Sequence, residues 1–128
     1  MNPLLQLEHY GQSYWLDNLT RAMINRGDLK RRVEERGLRG VTSNPSIFKK
    51  AIAGSSDYDG QIEQLVEQGC STQEVYEALV TTDVRDACDV LRPVYDATDG
   101  LDGYVSLEVS PHLAPPSTMA WLKSVPWI

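Results

Sequence analysis

The chain has 128 residues, enough for one domain with a sizeable core, and 41% of them are hydrophobic, as is usual for a globular protein. A net charge of −6 and a pI near 4.8, with no basic stripe, argue against a nucleic-acid groove or an anionic membrane surface as partner. Cys70 and Cys88 lack the paired spacing of a zinc site or a disulfide framework. No apolar run approaches a membrane span, and the first residues lack the basic and apolar regions of a signal peptide, so a cytoplasmic protein with reduced thiols is expected.

In chain order, Leu4, Leu5 and Leu7 suggest a short packed lead-in. Ser13 to Asp17 is an aromatic and aliphatic run that stops at a carboxylate and reads as a first strand. A short helix is expected over Leu19 to Arg26 and a second, capped by Asp28, through Arg36, where Gly37 stops it. Leu38 to Asn44 reads as a second strand, with Thr42 and Asn44 on one face and Val41 and Ser43 on the other. Asn44-Pro45 then opens a helix that runs to about Ala53-Gly54.

The next helix is expected from Ser56 or Asp57 to Gly69, with Ile62, Leu65 and Val66 at helical spacing. Ser71-Thr72-Gln73-Glu74 has the capping-box pattern and predicts a helix with a break at Thr81-Thr82; Val84, Cys88 and Leu91 continue its stripe, and Pro93 bends or ends the second piece. The acidic run from Asp96 to Asp102 lacks calcium-loop spacing and reads as a solvated turn before a third strand, Gly103 to Val109. From Pro115 the composition changes and no periodic element is evident.

Three strands thus each deliver a polar group late, and helical connections between them imply a parallel α/β sheet. The active site of such a sheet lies at the carboxyl ends of its strands, so Asp17, Asn44 and Glu108 would gather on one rim. Plainer roles stay open. Asp17 could cap the helix that follows it, Asn44 is a good N-cap before Pro45, and Glu108 could occupy an exposed edge. Lys49 and Lys50 read as a solvated helix face, and His9 and His112 lack metal-ligand spacing and read as surface residues.

Trp15-Leu16-Asp17, the run from Val41 to Phe48, the segment from Thr82 to Leu91, and Val105-Ser106-Leu107-Glu108-Val109, in that order and spacing, resemble the opening third of a transaldolase. The resemblance implies a (β/α)₈ TIM barrel of which this chain holds the first three βα units: residues 1–114 as the N-terminal portion, and 115–128 as a divergent tail expected to be disordered. It also implies transfer of a dihydroxyacetone unit between sugar phosphates of the pentose phosphate pathway through a lysine Schiff base, with no cofactor and no metal. By position it assigns Asp17 to proton transfer at the sugar hydroxyl and Glu108 to carbinolamine dehydration through a water. Asn44 would hydrogen-bond the three-carbon unit, and Thr42 and Ser106 would line the same interior.

The family's lysine lies on a fourth strand in a Lys-Ile-Pro context, which Lys123 does not match. The expectation is therefore a truncated transaldolase with no activity of its own; the alternative is a non-catalytic barrel fragment that works only with another chain.

Overall fold

The structure, a computed structural model, describes residues 2–108. Its centre is a parallel sheet in the order β1 (Tyr14–Asp17), β2 (Leu38–Ser43), β3 (Tyr104–Leu107). β1 and β2 pair Tyr14 with Leu38 and then Trp15 with Gly40, so Arg39 is an extra residue that bulges the second strand. Beyond the bulge the register is regular. Leu16, Val41 and Val105 form one level, and Asp17, Thr42 and Ser106 the next. Gly40 is glycine for a local reason: a Cβ there would lie 2.3 Å from Cδ2 and Cε2 of Trp15, whose indole rests on the bare backbone.

The lead-in is a turn of helix, α1 (Pro3–Gln6), and a 3₁₀ turn over Leu7–Tyr10. The helix after β1 is shorter than expected. α2 spans Arg21–Asn25 and is capped by Thr20, whose Oγ1 accepts the Met23 N–H at 3.2 Å, while Leu19 sits in the preceding loop, fully buried. Asp17 is therefore not the cap of this helix. α3 (Asp28–Arg36) matches its expected span, bounded by left-handed glycines Gly27 and Gly37, with Asp28 inside the first turn rather than at the cap. α4 runs over Pro45–Ala53 as expected. α5 (Asp59–Glu67) begins later than Ser56 or Asp57, because the Asp57 N–H donates to Ser55 Oγ in a tight turn that delays the first helical residue.

The expected break at Thr81-Thr82 is absent: α6 is one helix over Thr72–Ala97. Both threonine hydroxyls fold back onto the helix, donating to the carbonyls of Glu77 and Ala78, so their hydrogen bonds are made within the helix and do not interrupt it. Pro93 lies within the helix at an exposed position, where the carbonyl it leaves unpaired can be hydrated. The Ser71 capping box is present with both of its bonds.

One side of α6 supplies Val80, Val84, Ala87, Cys88, Leu91 and Val94 to a core completed by Leu19, Leu29, Leu38, Val41, Phe48 and Val105. At about 1.5–3 kcal/mol for each large apolar side chain taken from water, this layer is the main stabilising element of the fold. Leu16 and Leu107 pack against it from the sheet, half-buried. Gly103 places β3: its N–H donates to Arg39 O at 2.8 Å, and the Glu108 N–H donates to Ser43 O at 3.1 Å, which carries the ladder beyond the last strand residue. Ser106 is 6% exposed, and Trp15 and Tyr104 are half-buried; the Tyr104 ring meets Tyr95 edge-on, with centroids 5.7 Å apart. No described helix is long and apolar enough to cross a membrane. Val109, His112, Lys123 and the 115–128 segment lie outside the described residues.

Candidate functional site

The level of the sheet above Leu16, Val41 and Val105 is polar. Asp17 ends β1, Thr42 is its register partner on β2, and Ser106 is Thr42's partner on β3. Thr42 Oγ1 donates to Asp17 Oδ1 at 2.7 Å, so the two side chains share a face, and Asp17 is exposed there. This bond fixes the carboxylate while leaving its second oxygen available.

Asn44 follows β2 directly. Its Oδ1 accepts the Ile47 N–H at 3.1 Å and so caps α4, and among the described residues its two amide N–H donors have no partner. The two readings of Asn44 do not exclude each other, since the cap uses only the amide oxygen. Glu108, one residue past β3, is exposed. Because the strands are parallel, Asp17, Asn44 and Glu108 stand at the same end of three adjacent strands. Ser43, which the sequence did not single out, steadies this end from below: it is 2% exposed and donates through Oγ to the Ser106 carbonyl at 2.9 Å, tying β2 to β3 at the level of Thr42.

A second polar cluster lies behind the loop that follows Asp17. Arg21 Nε donates to Asp83 Oδ1 at 2.7 Å, the Tyr58 hydroxyl donates to Asp83 Oδ2 at 2.6 Å, and the Arg21 backbone N–H donates to the same hydroxyl at 3.1 Å. Asp83 is fully buried. Burial first, and then the bond to Asp83, push the Tyr58 hydroxyl well above its ordinary range, so it remains a donor. The sequence offered one signal for Asp83: it sits within the stripe of Leu79, Val80, Val84 and Ala87, where a carboxylate needs partners. Beside the cluster is a cleft of about 430 Å³ lined in part by Asn18, Thr20, Arg21, Ile47, Lys50 and Tyr58. Among the described residues no group of three or more His, Cys, Asp or Glu side chains could hold a metal ion.

Parallel strands joined by helices, with polar groups at one set of strand ends, define an α/β protein of the kind whose chemistry sits on that rim. The family model described as Transaldolase/Fructose-6-phosphate aldolase matches residues 14–119, a span that contains Asp17, Thr42, Asn44, Ser106 and Glu108. Among curated relatives, "Transaldolase 2" of Nostoc punctiforme is 56% identical over 113 residues, covering 88% of this chain and 30% of its own length. "Transaldolase" of Trichodesmium erythraeum is 53% identical over 113 residues, with 88% and 30% covered. "Transaldolase" of Thermobifida fusca is 45% identical over 129 residues, covering 99% of this chain and 35% of its own length. The chain belongs to the transaldolase/fructose-6-phosphate aldolase family and spans about a third of the length of these relatives.

Proposed function

We propose that this chain supplies the acid–base part of a transaldolase site that moves a dihydroxyacetone unit between sugar phosphates in the pentose phosphate pathway of the cytoplasm. The observation that carries the reading is the 2.7 Å bond from Thr42 Oγ1 to Asp17 Oδ1, in register with Ser106 and beside Asn44 and Glu108 at one end of the sheet. Asp17 takes and returns the proton of the sugar hydroxyl whose C–O–H collapses as the carbon–carbon bond breaks. Asn44 offers its amide N–H donors to the three-carbon unit. Glu108 acts through a water on carbinolamine dehydration and imine hydrolysis, while Thr42 and Ser106 line the interior. The chemistry needs neither cofactor nor metal.

The nucleophile is a lysine made neutral by burial. Lys30 lies on α3, 3.9 Å from Glu34, and Lys49 and Lys50 are exposed on α4, so the three described lysines sit on helices rather than on strands. In this reading the amine is supplied by a further strand of a (β/α)₈ barrel. Among the described residues β1 and β3 are the edges of the sheet, which also favours the second reading, a fragment that works only when another chain completes the sheet.

The test is a chimera in which this chain replaces the matching N-terminal segment of the Nostoc punctiforme relative, assayed with fructose 6-phosphate and an aldose phosphate. Turnover is expected, with Asp17→Asn and Glu108→Gln each lowering kcat on the order of 10²-fold or more. Borohydride reduction of this chain alone with fructose 6-phosphate should leave Lys30, Lys49 and Lys50 unmodified. A folded chimera that is indifferent to Asp17→Asn removes the assignment.

A further inference from the structure

We infer that Arg21, Tyr58 and Asp83 form a buried clasp that holds the loop after β1, making Tyr58 and Asp83 positioning residues for Asp17; this rests on the acid–base reading of Asp17 given above.

Only Asn18, Leu19 and Thr20 separate Asp17 from Arg21. Leu19 is fully buried and pins the middle of that loop to the core. Its far end is held by polar contacts that converge from two other elements. Asp83, in the middle of α6, receives the Arg21 guanidinium on one oxygen and the Tyr58 hydroxyl on the other. Tyr58, at the start of α5, also accepts the Arg21 backbone N–H, one of the donors that the first turn of α2 cannot pair within itself.

Arg21 adds a second guanidinium bond to Leu79 O at 3.3 Å, and its guanidinium carbon stands 4.2 Å from the Tyr58 ring centroid. The ion pair is shielded, with side-chain exposures of 11% and 0%. Both oxygens of Asp83 and the hydroxyl of Tyr58 are thus committed within the set, while Arg21 and Tyr58 also line the neighbouring cleft. A buried pair of this kind is weak evidence for net stabilisation but strongly specifies one arrangement of what it joins. What it joins here is the anchor of Asp17, whose carboxylate must keep its place to a fraction of an ångström for proton transfer.

The experiment uses Tyr58→Phe, which keeps the ring and the ion pair and deletes only the hydroxyl; Asp83→Asn is the second variant, retaining size and hydrogen-bonding capacity. In the full chain, hydrogen exchange by mass spectrometry should show faster exchange in Tyr58→Phe confined to the peptide covering residues 17–22. Unchanged exchange there overturns the clasp. In the chimera, Tyr58→Phe should lower kcat on the order of 10-fold with KM within about twofold, since misplacement of a reacting group acts on the chemical step.

Combined with Asp17→Asn the same change should have no further effect, because a residue that acts through Asp17 has nothing left to position. Additive losses in the double variant overturn the positioning role. A chimera that turns over no substrate in its unmodified form, while exchange still responds, overturns the catalytic part of the inference together with the functional reading and leaves the clasp standing.

Discussion

Replacing Gly103 by alanine separates two costs that usually arrive together. Gly103 has φ +89°, and a Cβ built on it would stand 2.4 Å from the Tyr95 backbone nitrogen and 2.7 Å from its Cα. Gly100, three residues earlier, has nearly the same φ, +82°, but its Cβ would meet only the Tyr95 ring at an ordinary 3.6 Å. Left-handed backbone costs alanine about 1 kcal/mol at either position. At Gly103 the collision is with backbone in the last turns of α6, which cannot rotate aside, and overpacking of that kind adds roughly 1–3 kcal/mol.

The expected losses are thus about 1 kcal/mol for Gly100→Ala and about 3 kcal/mol for Gly103→Ala. With a urea slope of about 1.5 kcal/mol per molar, the second midpoint should fall about 1 M below the first. The effect also reaches the site, because the Gly103 N–H bond to Arg39 O sets how β3 lies on β2. A slip of one residue there would turn Ser106 and Glu108 to the opposite face. Urea unfolding of the two variants side by side is the assay. Equal midpoints, or a milder effect at Gly103, would refute the claim that the helix-to-strand turn has no room.

Two predictions concern pH. Burial, and then the charge of Asp89, raise the Cys88 thiol from its ordinary 9.0 to about 11, and Tyr58 is raised by burial and by its bond to Asp83. Both groups ionise more easily in the unfolded chain, so the Cys88 contribution is fully present below pH 9 and is lost as pH rises from 9 towards 11, and that of Tyr58 is lost from pH 10 upward. Cys88→Ala should flatten that decline by about 2 kcal/mol, read from urea midpoints across the range. On α6, burial first, and then the neighbouring Asp83 and Asp89, raise the half-buried Asp86 carboxyl above its ordinary 3.8. Asp86→Asn should therefore increase Tm at pH 7, with the gain fading as pH falls through the raised value towards 3.8; a gain that persists at about pH 3 would point to a different cause.

The strands were legible because each β-branched or aromatic run leads into a polar residue at or just past its end, and α3 and α4 because glycines or Asn44-Pro45 mark their bounds. The misreadings share a physical origin. Thr81 and Thr82 look like helix competitors in one dimension, yet within a helix anchored by the Ser71 box and the core stripe, their hydroxyls find carbonyls one turn back. Asp83 was not singled out, because its partners are distant in sequence, Arg21 62 residues away and Tyr58 25, and only its place in an apolar stripe hinted at them. Strand alternation puts Thr42 and Asn44 on one face and the position at a strand end sets Asp17 beside Asn44, whereas a place for Thr42 in the interior comes from the family resemblance. That Thr20 rather than Asp17 caps α2 required the backbone.

The indole of Trp15 resting on Gly40 makes these two positions a single volume divided between two residues. A side chain at position 40 can grow only as the ring at position 15 shrinks, so neither position has an independent set of tolerated residues. A substitution path that enlarges position 40 first passes through a chain whose indole is displaced just beneath the Asp17–Thr42 bond, whereas one that reduces Trp15 first passes through a cavity at the same spot. Variation at this floor of the rim is therefore epistatic: it proceeds in pairs, and a library that randomises one position alone samples mostly the losing half of each pair.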